Sequence, residues 1–156
     1  MAIQSKRPIT PAQRFLVGVK NEDLSKERPV KALTEIKKRS GGRNMYGRIT
    51  SRRRGGGHKR LYRKVDFRRD KLDMPATVLR FEYDPNRSAN LALVEYADGE
   101  KRYMLAPNKL AVGSKIINAS QAVDFTPGNS MPLEFIPPAL RVHNIELQPN
   151  TKGQLI

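Results

Sequence analysis

At 156 residues, the chain has room for one ordinary domain, or for a small domain with long extensions. It carries 30 basic and 15 acidic side chains, a net charge of +15, with 38% apolar residues and a mean hydropathy of −0.63; part of such a chain is not expected to fold alone. The absence of cysteine excludes disulfides and thiolate zinc sites and favours a reducing compartment, and no apolar run approaches the roughly 20 residues that span a bilayer.

Residues 1–36 read as extended and irregular. MAIQSKRPITPAQR lacks the apolar core of a secretory signal, and Pro8 and Pro11 disfavour an amphipathic targeting helix. A short strand is expected at Phe15–Val19, a turn at Asn21–Lys26, and the one helix of any length at Val30–Lys38. Residues 37–71 follow, KKRSGGRNMYGRITSRRRGGGHKRLYRKVDFRRDK, with fifteen basic side chains against Asp66 and Asp70. This stretch carries +13, whereas residues 1–36 carry +3 and residues 72–156 carry −1. Six of the eleven glycines lie in it, and with no apolar periodicity it is loop or disorder in isolation.

Order is expected from Leu61. Leu79, Phe81 and Tyr83 alternate with Val78, Arg80 and Glu82 as in a half-buried strand. Asp84–Ser88 (DPNRS) is a turn. Ala89–Tyr96 is apolar on both faces and therefore a central strand, and Asp98-Gly99 makes a hairpin with Lys101–Leu105. Shorter strands are expected at Val112–Asn118 and Val142–Leu147, with Pro127-Gly128-Asn129 and Pro137-Pro138 as punctuation. Several short strands joined by tight turns predict an all-β fold built on a small antiparallel barrel.

A segment as basic as 37–71 repels itself unless a polyanion neutralises it, and RNA or DNA is the expected one. Arginine forks bind phosphate in bidentate fashion, and glycine lets backbone approach closely. The candidate contacts on charge are Arg43, Arg48, Arg52, Arg53, Arg54, His58, Lys59, Arg60, Arg63, Lys64, Arg68 and Arg69. Tyr46 and Tyr62 are candidates for stacking on unpaired bases, although Tyr62 more readily belongs to the first barrel strand and packs in its core. Arg87 and Lys101-Arg102 would project from barrel loops, either onto nucleic acid or into solvent. Gly42 and Gly47 have the spacing of a phosphate-binding loop, but Arg48 and Ile49 replace its lysine and hydroxyl residue, so a nucleotide triphosphatase is rejected. His58 and His143, the only histidines, form no recognisable metal site; His143 is expected at the barrel surface or core edge. No carboxylate spacing marks a general acid–base pair or a two-metal nuclease. No catalytic residue, metal or cofactor is expected.

The strings SGGRN (40–44), GRIT (47–50), RRGGGHK (53–59), YRKVDF (62–67), YDPNRSA (83–89), YADGEKRYMLAP (96–107) and VHNIE (142–146) occur in order. Together they resemble the bacterial-type form of large-subunit ribosomal protein two, over essentially the whole chain. The resemblance implies a non-enzymatic protein bound to large-subunit ribosomal RNA beside neighbouring ribosomal proteins. It would support assembly and subunit association near the peptidyl-transferase region, in a bacterial or organellar ribosome, with no membrane partner.

The same resemblance implies a basic extended RNA-binding arm at 1–60, an oligonucleotide-binding-type (OB) barrel at 61–125, and the start of an SH3-like barrel at 126–156. It carries RNA contacts onto Arg43, Arg48, Arg53, His58, Lys59, Arg63 and Arg87. Members of that family continue past the string matched here by KGQLI (152–156). A truncated sequence, a gene split so that a second polypeptide supplies the C-terminal half, and a compact variant each account for that departure. The alternative reading is a free OB-type RNA-binding factor or RNA chaperone. A nuclease is a third, for which no dyad is found.

Overall fold

Leu91–Tyr96 is a strand because its side chains, Glu95 apart, are apolar on both faces, and both faces find a core. The computed structural model describes residues 2–20 and 22–155, without the side chains of Ala2 and Lys20. Asn21, first residue of the expected 21–26 turn, and Ile156, last of the KGQLI string, lie outside the described residues. Ten strands are described in chain order: β1 (Ala2–Ser5), β2 (Val17–Lys20), β3 (Thr34–Ile36), β4 (Leu61–Arg63), β5 (Pro75–Glu82), β6 (Leu91–Tyr96), β7 (Lys101–Leu105), β8 (Lys115–Ile117), β9 (Ile145–Glu146) and β10 (Gly153–Leu155). The helical segments among the described residues are three single 3-10 turns. The all-β expectation therefore holds.

The central sheet is antiparallel in the order β7-β6-β5-β8. A parallel bridge from Val65 to Tyr103 extends it beyond β7. This arrangement is consistent with an OB-type barrel, although the described ladders do not close one. On one face of β6, Ala92, Val94 and Tyr96 pack with Ala76, Val78, Met104 and Ile116. On the other, Leu91 and Leu93 pack with Tyr103, and Val30, Leu33, Val65, Leu79 and Leu105 cover them. Val30 and Leu33 come from the N-terminal arm, so the arm completes the second core rather than trailing from it.

Three sequence expectations are corrected. Residues 30–38 are not a helix: a 3-10 turn at Lys31–Leu33 leads into β3, which pairs antiparallel with β4. β-branched Thr34 and Ile36 alternate along that strand, and pairing with Leu61–Arg63 gives its backbone partners that a lone helical turn would lack. Residues 1–36 are not all irregular either, because β1 and β2 form an antiparallel hairpin with Ile3 opposite Val19 and Ser5 opposite Val17. The predicted 15–19 strand is thus shifted to β2, and its partner β1 was missed.

The third correction concerns β5. A bulge between Val78 and Arg80 breaks the expected alternation, since Val78 faces Val94 while Arg80 already faces Leu93. Val78 and Phe81 therefore share the first core, and Leu79 joins the second. Glu82 becomes buried, while Tyr83, expected inward, is 62% exposed.

Buried Glu82 is satisfied by the elements around it. The Tyr103 hydroxyl donates to its Oε2 at 2.8 Å, and Arg80 Nε donates to its Oε1 at 2.9 Å. The Val30 N–H donates back to the Tyr103 hydroxyl at 3.1 Å. Arg80 also pairs with Glu27 and donates to the Arg28 carbonyl, and Ser25 N–H donates to the Phe81 carbonyl at 2.8 Å. Residues 24–30 are thereby stapled along β5, with a parallel bridge from Leu24 to Phe81.

Burial, partly offset by the Val30 N–H and aided by Glu82, pushes the Tyr103 phenol up to about 12. Burial raises Tyr96 as well. An unfolded tyrosine ionises near pH ~10. The folded state keeps its proton longer, so this contribution to stability is intact below pH ~10 and is lost as pH rises to about 12. Denaturant midpoints measured against pH should fall across that window, and Tyr103→Phe should flatten the fall.

Candidate nucleic-acid interface

From Ile36 to Val65 the sequence holds no acidic residue. Because β3 and β4 pair, with Ile36 opposite Leu61, the two ends of the intervening segment 37–60 are held side by side. Charge alone predicts a disordered loop here, but backbone contacts organise it. The Gly42 carbonyl accepts from Thr50 N–H at 2.9 Å and from Ser51 N–H at 3.1 Å. A side chain at Gly42 would place its Cβ 2.2 Å from the Ser51 carbonyl oxygen, and one at Gly55 would lie 2.8 Å from Gly41 Cα. Glycine at both positions is what lets the strands of the loop approach.

The tip is built by Asn44. Its Oδ1 accepts from the N–H groups of Tyr46 and Arg48, each at 3.0 Å, in an Asx turn. Asn44 N–H donates to the Arg48 carbonyl at 2.9 Å, and Gly47 N–H donates to the Asn44 carbonyl at 3.0 Å. Arg43 Nη1 donates to the Gly47 carbonyl at 2.9 Å, and Arg43 bridges Ile49.

On this closed loop Arg43, Arg48, Arg52, Arg53, Arg54, His58, Lys59 and Arg60 are all exposed. Lys37, Lys38 and Arg39, at its root, are exposed too. Among the described residues, no carboxylate lies within ion-pair distance of any of these cations. His58 Nδ1 lies 2.9 Å from the Lys59 carbonyl, which can only accept, so Nδ1 donates in this contact.

The remaining candidates lie C-terminal to the loop, and the structure does not gather all of them on the same open surface. Arg63 is buried, donates to the Leu61 carbonyl at 2.9 Å and lies 3.8 Å from Asp84. Arg69 donates to the Gly128 carbonyl at 2.7 Å and to Asn118. Arg87 Nε binds Asp84, which is fully buried, at 2.7 Å, and its guanidinium lies 5.9 Å from the Tyr62 ring centroid.

Arg102 binds Glu100 at 2.7 Å, Asp66 at 2.9 Å, and Asp70. Burial works against the Arg102 charge, but these hydrogen bonds outweigh it and push its pKa up. Lys71 pairs with Asp98 and Glu100, over the Tyr96 ring. Lys64 pairs with Glu35 at 2.7 Å and Lys101 with Glu95 at 3.5 Å, both at the surface, and Arg68 is exposed.

The charge of 37–71 thus divides at β4. Up to Arg60 it is open and unneutralised; beyond it, most cations are tied to carboxylates or carbonyls of the sheet. His143 is exposed. Among the described residues, no group of three histidines or carboxylates is placed to hold a metal, and no helix is long and apolar enough to cross a membrane.

The family model for Ribosomal Proteins L2, RNA binding N-terminal domain, matches residues 30–118, from the arm segment that caps the second core to the end of β8. The chain belongs to the ribosomal protein L2 family. Its L2 relatives include the large ribosomal subunit protein uL2 of Opitutus terrae, 62% identical over 157 residues. Those of Ruegeria sp. and Rhizobium leguminosarum bv. trifolii are 59% and 57% identical over 155 residues. These alignments cover 99% of this chain but 54–56% of the relatives, so the chain spans about half the length of the L2 proteins it matches. The matched domain contains the whole basic loop and the sheet that holds it.

Proposed function

We propose that this chain is a structural, non-enzymatic constituent of the large ribosomal subunit that binds ribosomal RNA. The observation that carries this reading is the closed loop 37–60. It presents ten basic side chains and no acid, and among the described residues none of them is ion-paired with a carboxylate. The L2 membership, and the RNA-binding name of the N-terminal domain it matches, support RNA as the polyanion.

In this reading residues 1–60 form the basic RNA-binding arm, 61–125 an OB-type barrel and 126–156 the opening of an SH3-like barrel. Arg43, Arg48, Arg52, Arg53, Arg54, His58, Lys59 and Arg60 contact RNA, joined at the edge by Lys64, Arg68 and Lys101. Arg63, Arg69, Arg87 and Arg102 hold the loop's root and the sheet in position, Arg87 keeping a part-exposed edge for a phosphate. The partners are large-subunit ribosomal RNA and neighbouring ribosomal proteins. The site of action is the ribosome of a bacterial cytoplasm or an organelle, in assembly and subunit association near the peptidyl-transferase region.

Cosedimentation tests this. The chain should remain with large subunits through a high-salt wash, because an RNA-embedded loop exchanges slowly. Complete release would favour a free RNA-binding factor.

A further inference from the structure

Resting on the RNA-binding reading above, we propose that Tyr46 stacks on an unpaired base of the bound ribosomal RNA, next to phosphates held by Arg43 and Arg48. Tyr46 is 79% exposed in the Asn44 turn, beside Met45 at 90%. Its backbone is fixed by the Asn44 side chain and by Gly47, whose φ of +77 closes the turn. Its ring and hydroxyl, by contrast, have no protein partner among the described residues. A flat, apolar ring is therefore held out into water on a rigid support, and the conformational cost of presenting it is already met by folding.

Tyr62 shows the contrast. It is half-buried in β4, with Lys37 Nζ 5.8 Å and Arg87 Cζ 5.9 Å from its ring centroid, so its face is already occupied.

The surroundings choose the occupant. Arg43 and Arg48 flank the turn, Arg52–Arg54 lie on the returning limb, and the nearest acidic residues in the sequence are Glu35 and Asp66. A protein surface receiving Tyr46 and Met45 would need both an apolar pocket and a dense acidic rim. Single-stranded or looped RNA supplies a π-face and phosphates together, at neighbouring positions of one strand. A paired helix exposes no base face, so the site requires an unpaired nucleotide.

The chain contains no tryptophan, so Tyr46→Trp makes a single-site fluorescent reporter of stacking. Titration of the full chain with naked large-subunit ribosomal RNA should quench its emission and shield it from iodide. Tyr46→Ala should weaken filter binding about 5- to 150-fold, and Tyr46→Phe should retain wild-type affinity. The slope of log K against log salt should be unchanged in both, because no phosphate contact is lost.

Salt-dependent wild-type binding with Tyr46→Ala within twofold of it, or with an unquenched Tyr46→Trp, would sink the stacking proposal alone. Normal RNA binding by Tyr46→Ala with defective entry into subunits would assign the ring to a protein partner instead. No RNA binding by the wild type would remove the reading on which the proposal rests.

Discussion

Replacing Arg52, Arg53 and Arg54 together with glutamine is expected to weaken binding to large-subunit ribosomal RNA on the order of 10³-fold at 0.1 M salt. Each phosphate neutralised contributes about one unit to the slope of log K against log salt. Three lost contacts therefore remove about three decades of affinity between 1 M and 0.1 M salt, and the slope should fall by the same three units. The three side chains are exposed and carry no internal ion pair, so the thermal midpoint should not drop. Arg53, which holds a positive φ of 60°, is replaced by another non-glycine residue, so its backbone cost is unchanged. Filter binding across a salt series measures the effect. A variant that binds as tightly as the wild type at every salt concentration would contradict it.

Asp84→Ala is expected to act on stability instead, by about 3–5 kcal/mol. Asp84 is fully buried and accepts from Arg87 Nε at 2.7 Å and from the backbone N–H of Asn86 at 2.9 Å, with Arg63 Nη1 3.8 Å away. Asn86, held by the same carboxylate, donates from Nδ2 to the Leu61 carbonyl at 2.7 Å and so ties the Asp84–Ser88 turn to β4. Removing the carboxylate leaves the buried Arg63, whose Nε already has no hydrogen-bond partner, facing an uncompensated site. Chemical denaturation should show the loss. Hydrogen exchange should accelerate in β3 and β4, because the root of the basic loop is what the turn holds. A change below 1 kcal/mol would mean that Asp84 is dispensable to the fold.

What could be read directly from the sequence was local. β6 was visible because five of its six residues, all but Glu95, suit a two-faced core, and the hairpin to β7 because Asp98-Gly99 is a strong turn signal. The basic loop was visible as charge. Its order was not, because the contacts that fix it are glycine backbones approaching carbonyls, and they leave no pattern in side-chain chemistry.

Residues 30–38 read as helical because local propensity has no knowledge of Leu61–Arg63, which claim Thr34–Ile36 as a strand. The β5 alternation failed at one inserted residue, since a bulge moves every later side chain to the other face. The candidate cations separated for a related reason. Arg102 meets Asp66 across 36 residues and Arg69 meets the Gly128 carbonyl across 59, and no window of sequence contains both partners. The L2 strings placed Arg63 and Arg87 in an RNA-facing set. Distances show what those side chains already hold inside the protein.

The central claim is that the cations of 37–60 are open for RNA whereas Arg63, Arg69, Arg87 and Arg102 are occupied by the fold. Arginine-specific modification read by mass spectrometry, with and without large-subunit ribosomal RNA, tests it most directly. In the free chain Arg39, Arg43, Arg48, Arg52, Arg53, Arg54 and Arg60 should react quickly, and Arg63, Arg69, Arg87 and Arg102 slowly. On adding RNA the first group should become protected and the second should change little. Continued fast reaction of the loop arginines in the RNA complex, with new protection confined to the second group, would contradict the account.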